Sequence, residues 1–254
     1  MAKIIAVANE KGGVGKTTTV LGLSECLQSL GKKVLVLDGD PQCNTTSSFK
    51  AVTKDENTMY DFYMGQCSLK DSIQTTERGD IVPNDKLLKR KEAFFMADVA
   101  NFSKLRNGLK DVKKKYDYII IDTPPNSGFY STSALIAADE VVIPIAPEMF
   151  SADGLGDIIE TINDVKNNMN RSLKIRGVMI TMYDSRQTLD RSTRENLEKI
   201  SKAFKIPFHE EFCIRKCQDI KNAQARKSTL EKYKSKCAGY EDYMNAAKII
   251  MMEV

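Results

Sequence analysis

The sequence predicts an α/β fold, a mostly parallel central sheet with helices on both faces. Three observations predict it. Five apolar runs rich in β-branched residues recur along the chain, helical patterns lie between them, and glycine-rich or polar turns close the runs. A strand covered on both faces reads as a continuous apolar run, which is what a parallel sheet requires.

The first run, KIIAVA (3–8), leads into a glycine loop. From Thr17 to Leu30, Val20, Leu23, Leu27 and Leu30 recur at helical spacing until Gly31 stops the helix. KVLVLD (33–38), YDYIIID (116–122), EVVIPI (140–145) and LKIRGVMITMY (173–183) read as the other four strands. Helical patterns span roughly 98–114, 153–169 and 188–204, and YEDYMNAAKIIMMEV (240–254) reads as a C-terminal helix. Residues 44–95 are polar and irregular, and no element is assigned there. No Gly/Pro/Ser-rich linker and no repeat divides the chain, so one domain over 1–254 is expected.

At 254 residues and 42% hydrophobic, the chain can bury a full core. It has no signal-peptide pattern, and no apolar run approaches the ~20 residues that span a bilayer. A cytoplasmic protein without membrane attachment is expected. The six cysteines are scattered, none in a CxxC, and His209 is the only histidine. Reduced thiols are expected, without a disulfide framework or metal cluster. Cys213 and Cys217, four apart, offer two ligands where a structural zinc site needs four.

The net charge of +4 is unevenly placed. Residues 213–237 hold eight basic and two acidic residues, a net +6; the rest of the chain holds 30 and 32, a net −2. Such a run is commonly a solvated face. It is also the kind of surface that gains affinity for nucleic acid by releasing counterions from phosphates.

The densest signal is NEKGGVGKTTTV (9–20). A strand, a glycine-rich turn and a helix, in that order, build a phosphate cradle: backbone N–H groups turn inward and the helix N-terminus adds partial positive charge. Lys16 is placed to reach β- and γ-phosphates, and the Thr17 hydroxyl to ligand Mg²⁺. The match to G-x-x-x-x-G-K-[ST] is imperfect. Glu10 stands at the first glycine position, and Lys11 is an added cation.

With that departure, KGGVGKTT (11–18) resembles the deviant Walker A box of the ParA/MinD family of P-loop ATPases. DGDPQCNTT (38–46) resembles the family's switch I, and IIIDTPPNSG (119–128) its Walker B and switch II. IPIAPEMFSADGL (143–155) and GVMITMYDSR (177–186) resemble segments of ParA proteins. The resemblance implies a P-loop NTPase of deviant Walker A type that uses ATP and Mg²⁺. It implies nucleotide contacts from Lys11, Gly12, Gly13, Val14, Gly15, Lys16, Thr17 and Thr18, with Lys11 reaching the partner's nucleotide across an ATP-bound homodimer. Lys11 is then an added cation at a developing phosphate charge, comparable to an arginine finger, and Lys16 is a catalytic candidate with it. Asp40 matches the aspartate that positions the attacking water and is a further metal candidate. Asp122 matches the Walker B aspartate that holds Mg²⁺ through a water. Either carboxylate could instead cap a following turn. By the same resemblance the segments around Met182 and Ile214 flank the adenine, although apolar residues there could equally be core.

Three outputs are weighed. An iron–sulfur reductase of the superfamily would need a cysteine in or after switch II, and DTPPNSGFYSTSAL has none. A MinD-like membrane switch would need a basic amphipathic C-terminal helix, and after Gly239 the only basic residue is Lys248. A DNA-partitioning ParA fits the +6 window. The resemblance then implies nonspecific binding of double-stranded DNA through Arg186, Arg215, Lys216, Lys221, Arg226 and Lys227, nucleoid association, and a ParB-like centromere-binding partner that stimulates hydrolysis. CQDIKNAQARKSTL departs from the stretch typical of chromosomal ParA proteins, so a plasmid or mobile-element relative is expected. There is no room before Lys3 for a helix-turn-helix, so sequence-specific repression is not expected. An ATPase that positions a protein cargo is the alternative.

Overall fold

The computed structural model describes residues 1–148 and 151–252. Met149 and Phe150, inside the ParA-like segment 143–155, and Glu253 and Val254, in the expected C-terminal helix, lie outside the described residues.

Eight strands form one sheet: β1 (Lys3–Val7), β2 (Val34–Asp38), β3 (Gln74–Thr76), β4 (Gly79–Val82), β5 (Tyr118–Asp122), β6 (Glu140–Ile145), β7 (Lys174–Tyr183) and β8 (Cys213–Arg215). Their order is β3-β4-β2-β5-β1-β6-β7-β8, and every pairing is parallel except β3 with β4. The five runs read from the sequence are the five central strands. β2, β5 and β6 are buried at every position, which is why they carry no alternation.

The helices are α1 (Lys16–Ser29), α2 (Asn44–Phe49), α3 (Met59–Met64), α4 (Glu92–Met96), α5 (Lys104–Val112), α6 (Phe129–Ala137), α7 (Ser151–Asn168), α8 (Thr188–Ala203), α9 (Gln218–Ala225), α10 (Leu230–Lys234) and α11 (Ala238–Met251). Strand parity sorts them into two layers. Ile4, Leu35, Leu37, Ile119 and Ile121 pack with α3 to α8 on one face. Ile5, Val7, Val34, Val36 and Ile120 pack with α1, α2 and α9 to α11 on the other. Asp38 and Asp122 share the parity of the second set and stand opposite each other at the C-terminal ends of β2 and β5. The fold therefore delivers both carboxylates to the layer that holds α1.

The expected C-terminal helix packs on the core: Tyr243, Ala246, Ala247 and Ile250 are buried against the α1 layer. Residues 44–96 do hold structure, in pieces of at most six residues. The helical pattern at 98–114 divides into a 3₁₀ turn, Val99–Ser103, and α5. No described helix is long and apolar enough to cross a membrane.

Candidate nucleotide-binding site

Loop 8–15 leaves the C-terminal end of β1. The Asn9 side-chain amide donates to the Pro144 carbonyl near the end of β6 (2.8 Å), and its Oδ1 accepts from Lys11 N–H (2.9 Å). Gly13 and Gly15 are left-handed, with φ of 78° and 89°, a region costly for residues with a Cβ. Gly15 precedes α1, and no side chain caps that helix, so its first N–H groups are offered to an anion. Thr181 braces the turn from β7, donating to the Val14 carbonyl at 2.8 Å.

Lys16 is buried, and its Nζ donates to the carbonyls of Asn9 (2.8 Å) and Lys11 (2.7 Å). Burial lowers its pKa, while the charges of Asp122 and Asp40 act in the opposite direction. An ammonium has three donors. Two of them close the loop.

Thr17, one residue on, donates through Oγ1 to Asp122 Oδ2 at 2.7 Å. Thr45 of α2 donates to the same oxygen at 2.6 Å. The other oxygen, Oδ1, is buried and has no hydrogen-bond partner. Asp38 Oδ2 is engaged by Thr46 through its N–H (2.7 Å) and hydroxyl (2.6 Å), and Asp38 Oδ1 accepts from Asp40 N–H. Asp40 is buried and accepts from Gln42 N–H (2.9 Å). Burial raises the pKa of all three carboxyls, and the Asp122 charge raises Asp38 further. Clustered buried carboxylates with one orphaned oxygen are short of a cation. The hard-oxygen set of Thr17 and Asp122 fits Mg²⁺.

Switch II follows β5. Thr123 donates to the Val7 carbonyl, tying β5 to β1 at their shared end. The Phe129 N–H, in the first turn of α6, donates to Glu92 of α4 at 3.1 Å. A segment with no assigned element in the sequence thus holds the far end of the switch.

Met182 and Ile214 both line a cleft beside the loop, with Gly13, Gly15, Thr18 and Gln224. Gln224 of α9 donates to Thr18 Oγ1 at 2.8 Å. Ile214 is buried, whereas Met182 is partly exposed in a left-handed conformation (φ 54°). Lys11 lies on the opposite side of the loop. A Cβ built on Gly154 of α7 would stand 2.6 Å from Lys11 Cε, so its stem crosses α7 where a side chain is missing.

All eight basic residues of 213–237 are exposed. Arg215, Lys216 and Lys221 line the cleft of Met182 and Ile214, and Arg186, Arg215 and Lys216 line an adjoining one. Arg226 stacks over Tyr233, 5.2 Å from the ring centroid. Two of the expected DNA-binding arginines are already paired: Arg215 with Asp242 (2.7 Å) and Glu241 (3.3 Å), and Arg186 with Asp184 (2.8 Å). Sequence reasoning missed Asn9, Thr45, Thr181 and Gln224. All four lie inside stretches quoted above, but nothing in the spacing marked them as partners of the site.

A loop of this geometry between a parallel strand and a helix defines the class, a P-loop NTPase. The family model described as an AAA domain matches residues 2–175. The chain is 36% identical to the sporulation initiation inhibitor protein Soj of Bacillus subtilis over 251 residues, 98% of each chain. It is 32% identical to the chromosome partitioning protein ParA of Caulobacter vibrioides, over 98% of this chain and 94% of that one. A structure of cobyrinic acid a,c-diamide synthase from Mycobacterium smegmatis, with bound ADP and magnesium, superposes with a TM-score of 0.83 at 28% identity, covering 98% of this chain and 93% of the other. The chain belongs to the ParA/MinD family of P-loop ATPases.

Proposed function

We propose that this ATPase partitions DNA through an ATP-dependent dimer that binds duplex without sequence preference. The observation that carries the nucleotide half is Asp122, with Thr17 and Thr45 on one oxygen and none on the other, beside the buried Lys16. Thr17 and, through a water, Asp122 would hold the Mg²⁺, which would supply neutralisation of phosphate charge there. The loop N–H groups and the third donor of Lys16 bind those phosphates. Asp40 accepts a hydrogen bond from the attacking water and aligns it with phosphorus. Pro124 and Pro125 stiffen the loop that reports the γ-phosphate.

Lys11 acts across the dimer, adding a cation to the partner's developing phosphate charge. Closure sets two +6 windows side by side, and because they adjoin the base-side cleft, nucleotide state and DNA affinity are linked. A ParB-like protein bound at a centromere site stimulates hydrolysis and releases the dimer from the nucleoid. A membrane output is disfavoured because the apolar face of α11 is buried against α1.

Two variants test the clamp. Asp40→Ala binds ATP, hydrolyses it roughly a hundredfold more slowly and accumulates as a dimer. Lys11→Ala stays monomeric with ATP. Sedimentation velocity with ATP separates them, and identical profiles would remove the role in trans assigned to Lys11.

A further inference from the structure

Cys217 is the residue before α9, and Cys237 the residue before α11. Neither side chain caps its own helix. Instead, the two sulfurs and a carboxylate oxygen of Asp219 lie within 4.8 Å of one another. Glycine at 239 makes this possible. A Cβ built there would stand 2.7 Å from the Ile220 side chain and 3.5 Å from Cys217 Cβ, so only a residue without a side chain lets the two helix starts meet so closely. A cation already sits at the rim, with Lys234 Nζ 3.0 Å from Asp219 Oδ2. Cys237 is buried and the other two are half-buried, so the group is reached from one side. Cys213, the partner that spacing alone suggested for Cys217, is not in the group.

We propose that Cys217, Asp219 and Cys237 form a binding site for a thiophilic divalent cation such as Zn²⁺. Two sulfurs and one carboxylate oxygen are the donor set of a tetrahedral site with one open position. Bonds of about 2.3 Å to sulfur and about 2.1 Å to oxygen place the donors roughly 3.7 Å apart in a tetrahedral site, and they stand within 4.8 Å of one another without an ion. On binding, each thiol gives its proton to solvent, both sulfurs become thiolates bonded to the ion, and the Lys234 ammonium leaves Asp219. The two helix N-termini favour the thiolates. The ion ties α9 to α11 at the seam between the base-side cleft and the basic window.

The test is a Co²⁺ titration of the full-length protein, reduced and stripped of metal, followed by Zn²⁺ competition. The expected result is one equivalent of Co²⁺ with a thiolate-to-cobalt charge-transfer band that Zn²⁺ abolishes. Cys217→Ser and Cys237→Ser each lose the band and at least about a hundredfold in affinity, Asp219→Asn keeps the band with about tenfold weaker binding, and Cys213→Ser matches the wild type. Circular dichroism checks that each variant is folded. The proposal is overturned if the wild type shows no saturable Co²⁺ binding, whatever the variants do. It is also overturned if the band survives in both folded serine variants, or if the two cysteines are joined as a disulfide and bind no metal once reduced.

Discussion

Asp122 shows what single residues contribute and how far the sequence reveals them. Its place beside Lys16 and Thr17 was legible because the pattern is local: a lysine and a threonine at fixed spacing after a strand, and a carboxylate ending another. The second hydroxyl on Asp122 belongs to Thr45, 77 residues away, and Gln224 reaches Thr18 across 206 residues. Spacing cannot show such pairings; the strand order β2-β5-β1 brings Thr45 to Asp122, and the run β1-β6-β7-β8 brings Gln224 to Thr18. Thr45→Val keeps the shape and removes a hydroxyl from Asp122 Oδ2, so the carboxylate loses one of its two orienting donors. Removing an orienting partner weakens metal affinity by about 10–100-fold. The Mg²⁺ concentration giving half-maximal hydrolysis should rise accordingly, and an unchanged Mg²⁺ requirement would show that Thr45 is only packing.

Elements were legible where burial is two-sided. The five central strands read as apolar runs because water touches neither face, and α1, α7, α8 and α11 carry helical spacing over many residues. β3 and β8, three residues each, sit at the sheet edges and are too short to carry a period. Residues 44–95 stayed unassigned because they divide into short pieces held by side-chain caps, such as Thr58 with Asp61 and Ser68 with Asp71. Those caps are local, but no periodic pattern follows them to mark an element. The start of α1 is the element on which nucleotide binding turns. Gly15→Ala places a Cβ in a left-handed residue, 3.4 Å from Thr181, and the left-handed conformation alone costs about 1–2 kcal/mol. At roughly 2–4 °C per kcal/mol for a chain of this size, the melting temperature should fall by about 2–8 °C, with ATP affinity falling too. Melting and calorimetry together check this. An unchanged melting temperature would mean that the loop adopts another conformation in solution.

At the scale of the whole molecule, the sequence placed the positive charge in one tenth of the chain, and every basic residue there is exposed. It could not show which charges are already engaged. Arg215 is held by Asp242 and Glu241, so reversing it would set three acidic groups together and damage the packing of α11. Lys216 and Lys221 line the cleft that also holds Gly13, Gly15 and Thr18 of the glycine loop, so their reversal is not confined to the basic window. Arg226 and Lys227, at the end of α9, are outside that cleft and separate the two effects. The decisive measurement is therefore an anisotropy titration of random-sequence duplex with wild type and the Arg226→Glu, Lys227→Glu double variant, with ATP and with ADP, at several salt concentrations. Wild type should bind with ATP and far more weakly with ADP, without sequence preference; if a dimer neutralises about six phosphates, log K should fall against log[salt] with a slope of roughly −5. The double variant should lose affinity for every duplex while still binding ATP and dimerising. Equal binding by the two proteins, or equal binding with ATP and ADP, would contradict a nucleotide-gated DNA surface at this window.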